Sequence, residues 1–137
     1  MKNVEYCFIL IHEPNNYERD SGLLLRAKVQ LKMNERDRKI VEKFKSLVSQ
    51  LVKVHEVRVF GSRARGDATE ESDLDVLVVV DYLDPSTERY ISDCAWEAGF
   101  PEDVIIIPIA ISLDTLKNSP IRESVFIKNV YQEGVSV

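Results

Sequence analysis

Residues 59–80 read VFGSRARGDATEESDLDVLVVV, and this stretch decides the fold prediction. A short apolar segment ends at Gly61 and Ser62, a polar loop follows, and Asp73-Leu74-Asp75 opens a run of apolar residues. The run does not alternate with polar residues, which predicts a strand buried on both faces. Side chains two residues apart in a strand share a face, so Asp73 and Asp75 are expected to project together.

Two carboxylates this close repel each other, and a divalent cation relieves the repulsion. Magnesium prefers oxygen ligands from one or two carboxylates together with waters and substrate phosphates. Gly61 allows a close backbone approach to a phosphate, and the Ser62 hydroxyl with neighbouring N–H groups can hold phosphate oxygens. A helical turn beginning at Ser62 would add positive potential there. If the two strands are neighbours, all four residues face one nucleoside triphosphate. The plainer interpretation of the aspartates is a capped turn before a strand.

Outward from this stretch, helix and strand patterns fill residues 34–137. Residues 34–53 predict a helix with Asn34 as its N-cap and Asp37 three residues on. Residues 56–60 predict a short strand in which valines alternate with Glu56 and Arg58. The remaining predictions are a helix from Asp84-Pro85 to Gly99, a buried strand at 103–111 with Pro108 at an edge or bulge, and a last helix from Ser119-Pro120 to about Gln132. This order predicts a single α+β domain with a mixed central β-sheet flanked by helices.

The length and composition of the chain limit the classes of protein to which it can belong. The chain has 137 residues, enough for one core, and no apolar run approaches the roughly 20 residues of a membrane span. With no signal-peptide pattern, the cytoplasm is the expected compartment. The two cysteines, Cys7 and Cys94, have no metal-ligand spacing and are expected to be buried apolar residues.

Charge is divided unevenly along the chain. Residues 1–66 carry 14 Lys and Arg against 8 Asp and Glu, whereas residues 67–137 carry 4 against 15, giving a net charge of −5. The overall acidity argues against non-specific nucleic-acid binding as the main function. We expect residues 1–33 to form an N-terminal extension of the same domain, as an extra strand or hairpin. Its apolar run at residues 8–11 permits an extra strand, a homodimer contact or a partner-docking surface.

The pattern F-G-S, ten residues, D-L-D-V resembles the signature of the DNA polymerase beta-like nucleotidyltransferase superfamily. More closely, GSRARGDATEESDLD is similar to the minimal nucleotidyltransferases, small single-domain prokaryotic proteins often paired with a HEPN-domain partner as antitoxin and toxin. The resemblance is strongest over residues 57–80, the element order fits residues 34–137, and residues 119–135 look like the closing helix of that family. It implies the DNA polymerase beta-like nucleotidyltransferase fold.

The resemblance also implies an activity. Asp73 and Asp75 would bind two Mg²⁺ ions, while Gly61 and Ser62 would contact ATP or another nucleoside triphosphate. A nucleotidyl group would pass to a hydroxyl acceptor, on a partner protein, with pyrophosphate leaving. The family usually places a third carboxylate on a later strand, and Asp103 is the candidate for this catalytic metal ligand. The alternative is that Glu102 and Asp103 only form a polar turn.

Arg63 and Arg65 are further candidates, because a guanidinium group suits phosphate oxygens. Their alternative role is a surface salt bridge to Asp67, Glu70 or Glu71. Two functions therefore stand: a metal-dependent nucleotidyltransferase, or a non-catalytic nucleotide-binding or antitoxin-like module that acts by binding a partner.

Overall fold

The computed structural model describes residues 33–137 of the chain. The predictions made for residues 1–32, including the N-terminal extension and the environment of Cys7, lie outside the described residues. The strands are β1 (Val54–Phe60), β2 (Leu74–Val80), β3 (Ile106–Ser112) and β4 (Val135–Ser136). The α-helices are α1 (Glu35–Ser49), α2 (Ser62–Arg65), α3 (Pro85–Gly99), α4 (Leu113–Asn118) and α5 (Val125–Glu133), with 3₁₀ turns at Phe100–Glu102 and Pro120–Glu123.

The long helices start where local capping chemistry predicts. The side chain of Asn34 accepts a hydrogen bond of 2.7 Å from the Asp37 amide, and Asp84 accepts one of 2.7 Å from the Thr87 amide. Each cap satisfies an amide that the helix itself leaves without a partner. Pro85 then occupies the first helical position of α3, where its missing N–H costs nothing. Both N-terminal predictions are confirmed, although α1 ends at Ser49, four residues before the predicted end.

The four strands form one mixed sheet in the order β3-β2-β1-β4. Strand β2 pairs antiparallel with β1 and parallel with β3, and β4 pairs antiparallel with the outer side of β1. The parallel pair requires a long crossover, which α3 supplies. The sheet is therefore mixed and flanked by helices, and the fold prediction is confirmed.

Hydrophobic cores lie on both faces of the sheet. On one face, α1 and α3 cover the valines of β1 and β2; their buried side chains include Val41, Phe44, Ile91 and Ala95. On the other, a smaller core joins Leu77, Val79 and Ile111 to side chains of α4 and α5. Strand β2 is thus central in the sheet and buried on both faces, as its sequence predicts. Cys94 is buried, as expected.

Three local expectations need correction. Among residues 33–137, β3 is an edge strand, as Pro108 indicates, but it is not buried on both faces, since Ile107 and Ile109 are exposed. The polar residues of β1 are also buried, since Glu56 and Arg58 pair inside the protein at 2.7 Å. The predicted last helix is divided at Ser124, which caps α5 with its hydroxyl and has extended backbone.

Gly99 is the last residue of α3, and the close approach of a later segment explains why this residue is a glycine. A Cβ at this position would lie 2.3 Å from the carbonyl oxygen of Val104, because the chain returns directly over the helix end. Within residues 33–137, no helix combines the length and apolar character needed to cross a bilayer.

Candidate active site

The end of β1 and the start of β2 bring Gly61 against Asp75. Phe60 is the ladder partner of Asp75, so Gly61 follows directly beside that carboxylate. Gly61 has φ of 74°, and a Cβ there would lie 2.7 Å from Oδ2 of Asp75. Any side chain would therefore strain the backbone, and its Cβ would push the Asp75 carboxylate out of its present position. The two strands are neighbours, as the sequence analysis required, and the Gly-Ser backbone lies next to an acidic group.

A single helical turn follows at once. Helix α2 begins at Ser62, and its last amides bond back to the Gly61 carbonyl oxygen, from Ala64 at 3.2 Å and from Arg65 at 3.1 Å. Gly66 closes the turn in the left-handed conformation with φ of 79°, which is a position that favours glycine. The Ser62 side chain is thus held at the start of a turn adjoining Asp75.

Asp73 and Asp75 differ in their surroundings. Asp73 is exposed and immediately precedes β2, whereas Asp75 is half-buried on the strand. Burial raises the pKa of Asp75, the neighbouring charge of Asp73 raises that pKa further, and Arg65 partly offsets both effects. A raised carboxyl pKa means that the ionised form is less favourable here than in water, chiefly because of burial. A cation bound between these aspartates would favour the ionised form.

Arg63 is held by oxygen atoms of the protein itself. Its Nη1 lies 2.9 Å from Oδ1 of Asp37, its Nε donates to the Ser72 carbonyl oxygen at 2.8 Å, and its Nη2 donates to that of Glu70 at 3.2 Å. The Arg63 side chain is buried, and these protein oxygens occupy all three nitrogens of its guanidinium group. Phosphate contact by Arg63 stays a prediction, and these bonds give the side chain a structural role in addition. Arg63 fastens the loop that leads into Asp73.

Arg65 is the exposed arginine of this turn. It lies 3.4 Å from Asp67 and 3.5 Å from Glu133, both at the surface. Weak, exposed pairs of this kind are readily exchanged for other partners. The positive charge of Arg65 lowers the pKa of Asp75, so Arg65 acts electrostatically on the aspartate pair. Phosphate contact by Arg65 stays a prediction.

Asp103 lies apart from a metal-binding arrangement. It follows the 3₁₀ turn in a left-handed conformation with φ of 53°, before β3 begins. In the part of the chain that the structure describes, no group of three or more His, Cys, Asp and Glu side chains could hold a metal ion. The residue on β3 that is paired with Asp75 is Ile107. The expected three-carboxylate set of Asp73, Asp75 and Asp103 is therefore not formed.

Comparison with known proteins agrees with this arrangement of elements. Residues 37–135 match the family model described as "Nucleotidyltransferase domain". The chain belongs to the nucleotidyltransferase domain family. It is 38% identical over 101 residues to a protein of Methanocaldococcus jannaschii named "Putative protein adenylyltransferase MJ0141", covering 72% of this chain and 95% of that protein.

A second relative from the same organism, named "Putative protein adenylyltransferase MJ0128", is 34% identical over 91 residues, covering 63% of this chain and 84% of its own length. No solved structure gives a significant match to the chain. The family and these relatives support nucleotidyl transfer as the general activity.

The residues of this nucleotidyltransferase domain fit a divalent cation in part. Asp75 on β2 and Asp73 just before it carry neighbouring carboxylates, and carboxylate oxygens are the hard ligands that Mg²⁺ prefers. A third protein carboxylate is not gathered around them among residues 33–137. The site suits a cation whose remaining ligands come from water and from the phosphates of a nucleotide.

Asp37 also holds this site in place, a role that its position in the sequence does not predict. Its side chain is buried, accepts a hydrogen bond of 3.1 Å from Asn34 and pairs with Arg63. An acidic residue in the first turn of a helix is typical of capping. That signal gives no sign of an arginine partner 26 residues away.

Proposed function

We propose that this protein transfers a nucleoside monophosphate from a nucleoside triphosphate to a hydroxyl group on a partner protein, with Mg²⁺ as cofactor. The observation that carries the proposal is the contact geometry of Gly61 and Asp75, which sets a side-chain-free backbone beside one carboxylate, with Asp73 two residues before it in the chain. The names of the relatives support a protein as acceptor and an adenylyl group as the transferred unit.

Each residue has a role in this proposal. Asp73 and Asp75 hold the cation, and Gly61 and Ser62 hold phosphate oxygens through backbone and hydroxyl groups. Arg65 adds positive charge at the rim of the site. When bound, magnesium neutralises the triphosphate and stabilises the charge that develops on the leaving group.

The proposed transfer needs no reactant besides the nucleoside triphosphate and the acceptor hydroxyl. The acceptor oxygen forms a bond to the α-phosphorus, the bond from that phosphorus to the bridging oxygen breaks, and pyrophosphate leaves with the electron pair. The hydroxyl proton passes to solvent, since residues 33–137 bring no third carboxylate to the aspartate pair. The chain's own contribution is to position the triphosphate and the acceptor.

The resemblance to minimal nucleotidyltransferases extends the proposal to the partner. It favours a HEPN-type protein as acceptor, with this chain as the antitoxin-like component in the cytoplasm.

A second candidate function is a non-catalytic module that binds nucleotide or neutralises a partner by contact alone. The observation that favours it is the absence of a three-ligand metal group from the described residues. In this case the aspartate pair would bind a nucleotide with its cation, and no label would pass to another molecule.

The test is incubation with ATP, CTP, GTP and UTP labelled at the α-phosphate, with Mg²⁺, with and without extract of the source cells. Asp73→Asn and Asp75→Asn variants run beside the wild type. Asp93→Asn is the matched control, because Asp93 is an exposed acid on α3, away from β2. Calorimetric titration with Mg²⁺ and each nucleotide measures binding separately.

Label on a protein with wild type and Asp93→Asn, but with neither site variant, would support the transferase. Nucleotide binding that depends on Asp73 and Asp75 without any transfer of label would support the binding module. Transfer that survives both site substitutions would overturn the assignment of the site.

A further inference from the structure

Three isoleucines form an exposed apolar row beside the aspartate pair. Ile105 precedes β3, and Ile107 and Ile109 lie on it at alternate positions, so their side chains share one face. Their residues are 65%, 39% and 37% exposed. We name this row the isoleucine strip. A single exposed isoleucine is ordinary, but a contiguous row of them indicates an interaction surface.

The strand register places the strip on the same face as the carboxylates. Ile107 pairs with Asp75, and Ile109 pairs with Leu77, one step further along β2. The row continues to Ile111, which is buried in the core with Leu116 of α4. Within residues 33–137, the helices on this face therefore cover the far end of β3 and leave uncovered the end that adjoins Asp73 and Asp75.

The open end of β3 is not built for adding another strand. The Ile105 carbonyl oxygen accepts a hydrogen bond of 2.8 Å from the Leu74 amide, so the backbone groups of the strip point toward β2. The backbone groups of the intervening residues, including Pro108, point to the free edge of β3. Proline has no N–H to donate there. An occupant would therefore contact the isoleucine side chains across the face rather than pair along the edge.

The charged residues around the strip indicate which class of molecule would bind there. The loop before β2 carries Asp67, Glu70 and Glu71 in addition to the aspartate pair, and the turn before β3 carries Glu102 and Asp103. Arg65 pairs with Asp67 and Arg36 with Glu102, so these acids still outnumber the arginines that pair with them. Both segments lie at the same end of the sheet, because β2 and β3 run parallel. Such an acidic rim repels the phosphates of a nucleic acid and attracts a basic partner.

We infer that the isoleucine strip binds the acceptor as a protein segment that combines apolar with basic side chains. This inference rests on the proposed function, and it names the class of acceptor. Apolar side chains of the segment pack on Ile105, Ile107 and Ile109, and its basic residues face the acidic rim. The hydroxyl to be modified then lies beside the aspartate pair, since Ile107 and Asp75 are ladder partners.

The experiment measures binding of fluorescent synthetic peptides to the full chain by anisotropy, with Mg²⁺ and an ATP analogue that cannot be cleaved between its α- and β-phosphates. Three peptides of equal length, each with one Ser and one Tyr, contain Leu with Lys, Leu with Glu, or Gln with Lys. A single-stranded RNA of similar length is the fourth probe. The variant is Ile105→Ser combined with Ile107→Ser, and Ile105→Lys is a second variant at the most exposed position of the strip.

Leu51→Ser is the matched control. Leu51 is 78% exposed and precedes β1, whose first residue pairs with Val80 at the opposite end of β2 from the aspartates. We expect the Leu–Lys peptide to bind wild type and Leu51→Ser equally, and both strip variants at least about tenfold more weakly, a change of roughly 1.4 kcal/mol. Equal binding to wild type and strip variants, or equal or tighter binding of the Leu–Glu peptide or the RNA, would overturn the inference.

Calorimetry with Mg²⁺ and ATP separates this inference from the proposed function. Nucleotide binding without strip-dependent peptide binding would overturn the docking surface and leave the transferase standing. Strip-dependent peptide binding in a protein that binds no nucleotide would support the surface and count against nucleotidyl transfer.

Discussion

Arg63 and Asp37 form a buried ion pair in which Nη1 and Oδ1 are 2.9 Å apart, with side-chain exposures of 6% and 1%. The pair joins the first turn of α1 to the turn that follows Gly61. Through its bond to the Ser72 carbonyl oxygen, Arg63 also fixes the residue before Asp73. The position of the exposed aspartate therefore depends on a contact between two segments far apart in sequence.

Replacing Arg63 by alanine is expected to destabilise the fold by about 3–5 kcal/mol, because it leaves the Asp37 carboxylate buried without its cation. Urea unfolding measures this loss. Arg65→Ala is the control from the same helical turn, and its exposed pairs predict a loss below about 1 kcal/mol. Similar losses for both variants would show that the buried pair does not hold the loop.

Gly61→Ala tests the close approach to Asp75. The positive φ alone costs an alanine about 1–2 kcal/mol, and the added Cβ must also displace the Asp75 carboxylate. We expect Mg²⁺-dependent nucleotide binding to weaken at least about tenfold by calorimetry. Gly66→Ala shares the positive φ but caps the other end of α2, so it should lose stability without this loss of binding. Unchanged nucleotide binding in Gly61→Ala would contradict the proposed role of the contact.

Asp75→Asn tests the electrostatics of the pair. The pKa of Asp75 is raised in the folded protein, so the folded state holds the proton more tightly than the unfolded state does. Ionised Asp75 therefore costs stability at neutral pH, and this cost disappears as the pH falls below the unfolded pKa of about 3.9. Without metal, Asp75→Asn should raise Tm by roughly 1–3 °C at neutral pH, and the difference should close in acid.

The metal should reverse that order. Mg²⁺ with ATP should raise the Tm of the wild type and leave that of Asp75→Asn nearly unchanged, because binding to the folded state is what raises Tm. Differential scanning fluorimetry at several pH values, with EDTA or with Mg²⁺, covers both comparisons. A lower Tm for the metal-free variant at neutral pH would contradict the assigned cause of the pKa shift.

Tyr131→Phe tests a second buried network, centred on Glu56. The Tyr131 hydroxyl donates to Oε2 of Glu56 at 2.7 Å, Arg58 donates to Oε1 at 2.7 Å, and the Arg58 guanidinium lies 4.7 Å from the Tyr131 ring centroid. Phenylalanine keeps the ring and loses the hydrogen bond to a carboxylate, which is worth about 1.5–3 kcal/mol.

Chemical denaturation of Tyr131→Phe measures this loss. The exposed Tyr82 supplies the control, since Tyr82→Phe should change stability by less than about 0.5 kcal/mol. Nucleotide binding should be unaffected, because Glu56 pairs with Val79, four residues along β2 from Asp75. A marked loss of nucleotide binding would show that this network supports the site as well.

The sequence by itself determined the features that rest on local chemistry. Asn34 and Asp84 cap their helices because a short polar side chain reaches the amide three residues ahead. The unbroken apolar run of β2 required cover on both faces, and Gly61 marked a position where the backbone can be approached closely. The expectation that Asp73 and Asp75 project together followed from their two-residue spacing and strand geometry alone.

The tertiary structure decided which distant groups meet. A guanidinium group bonds phosphate and carboxylate oxygens alike, so only packing could assign Arg63 to Asp37. Helices α4 and α5 cover only the far end of β3. Ile105, Ile107 and Ile109 therefore stay exposed, although their sequence is typical of a buried strand. Burial of Glu56 with Arg58, and the failure of Asp103 to join the other aspartates, have the same cause. Sequence spacing fixes neighbours within one element, whereas contacts between elements depend on how the whole chain packs.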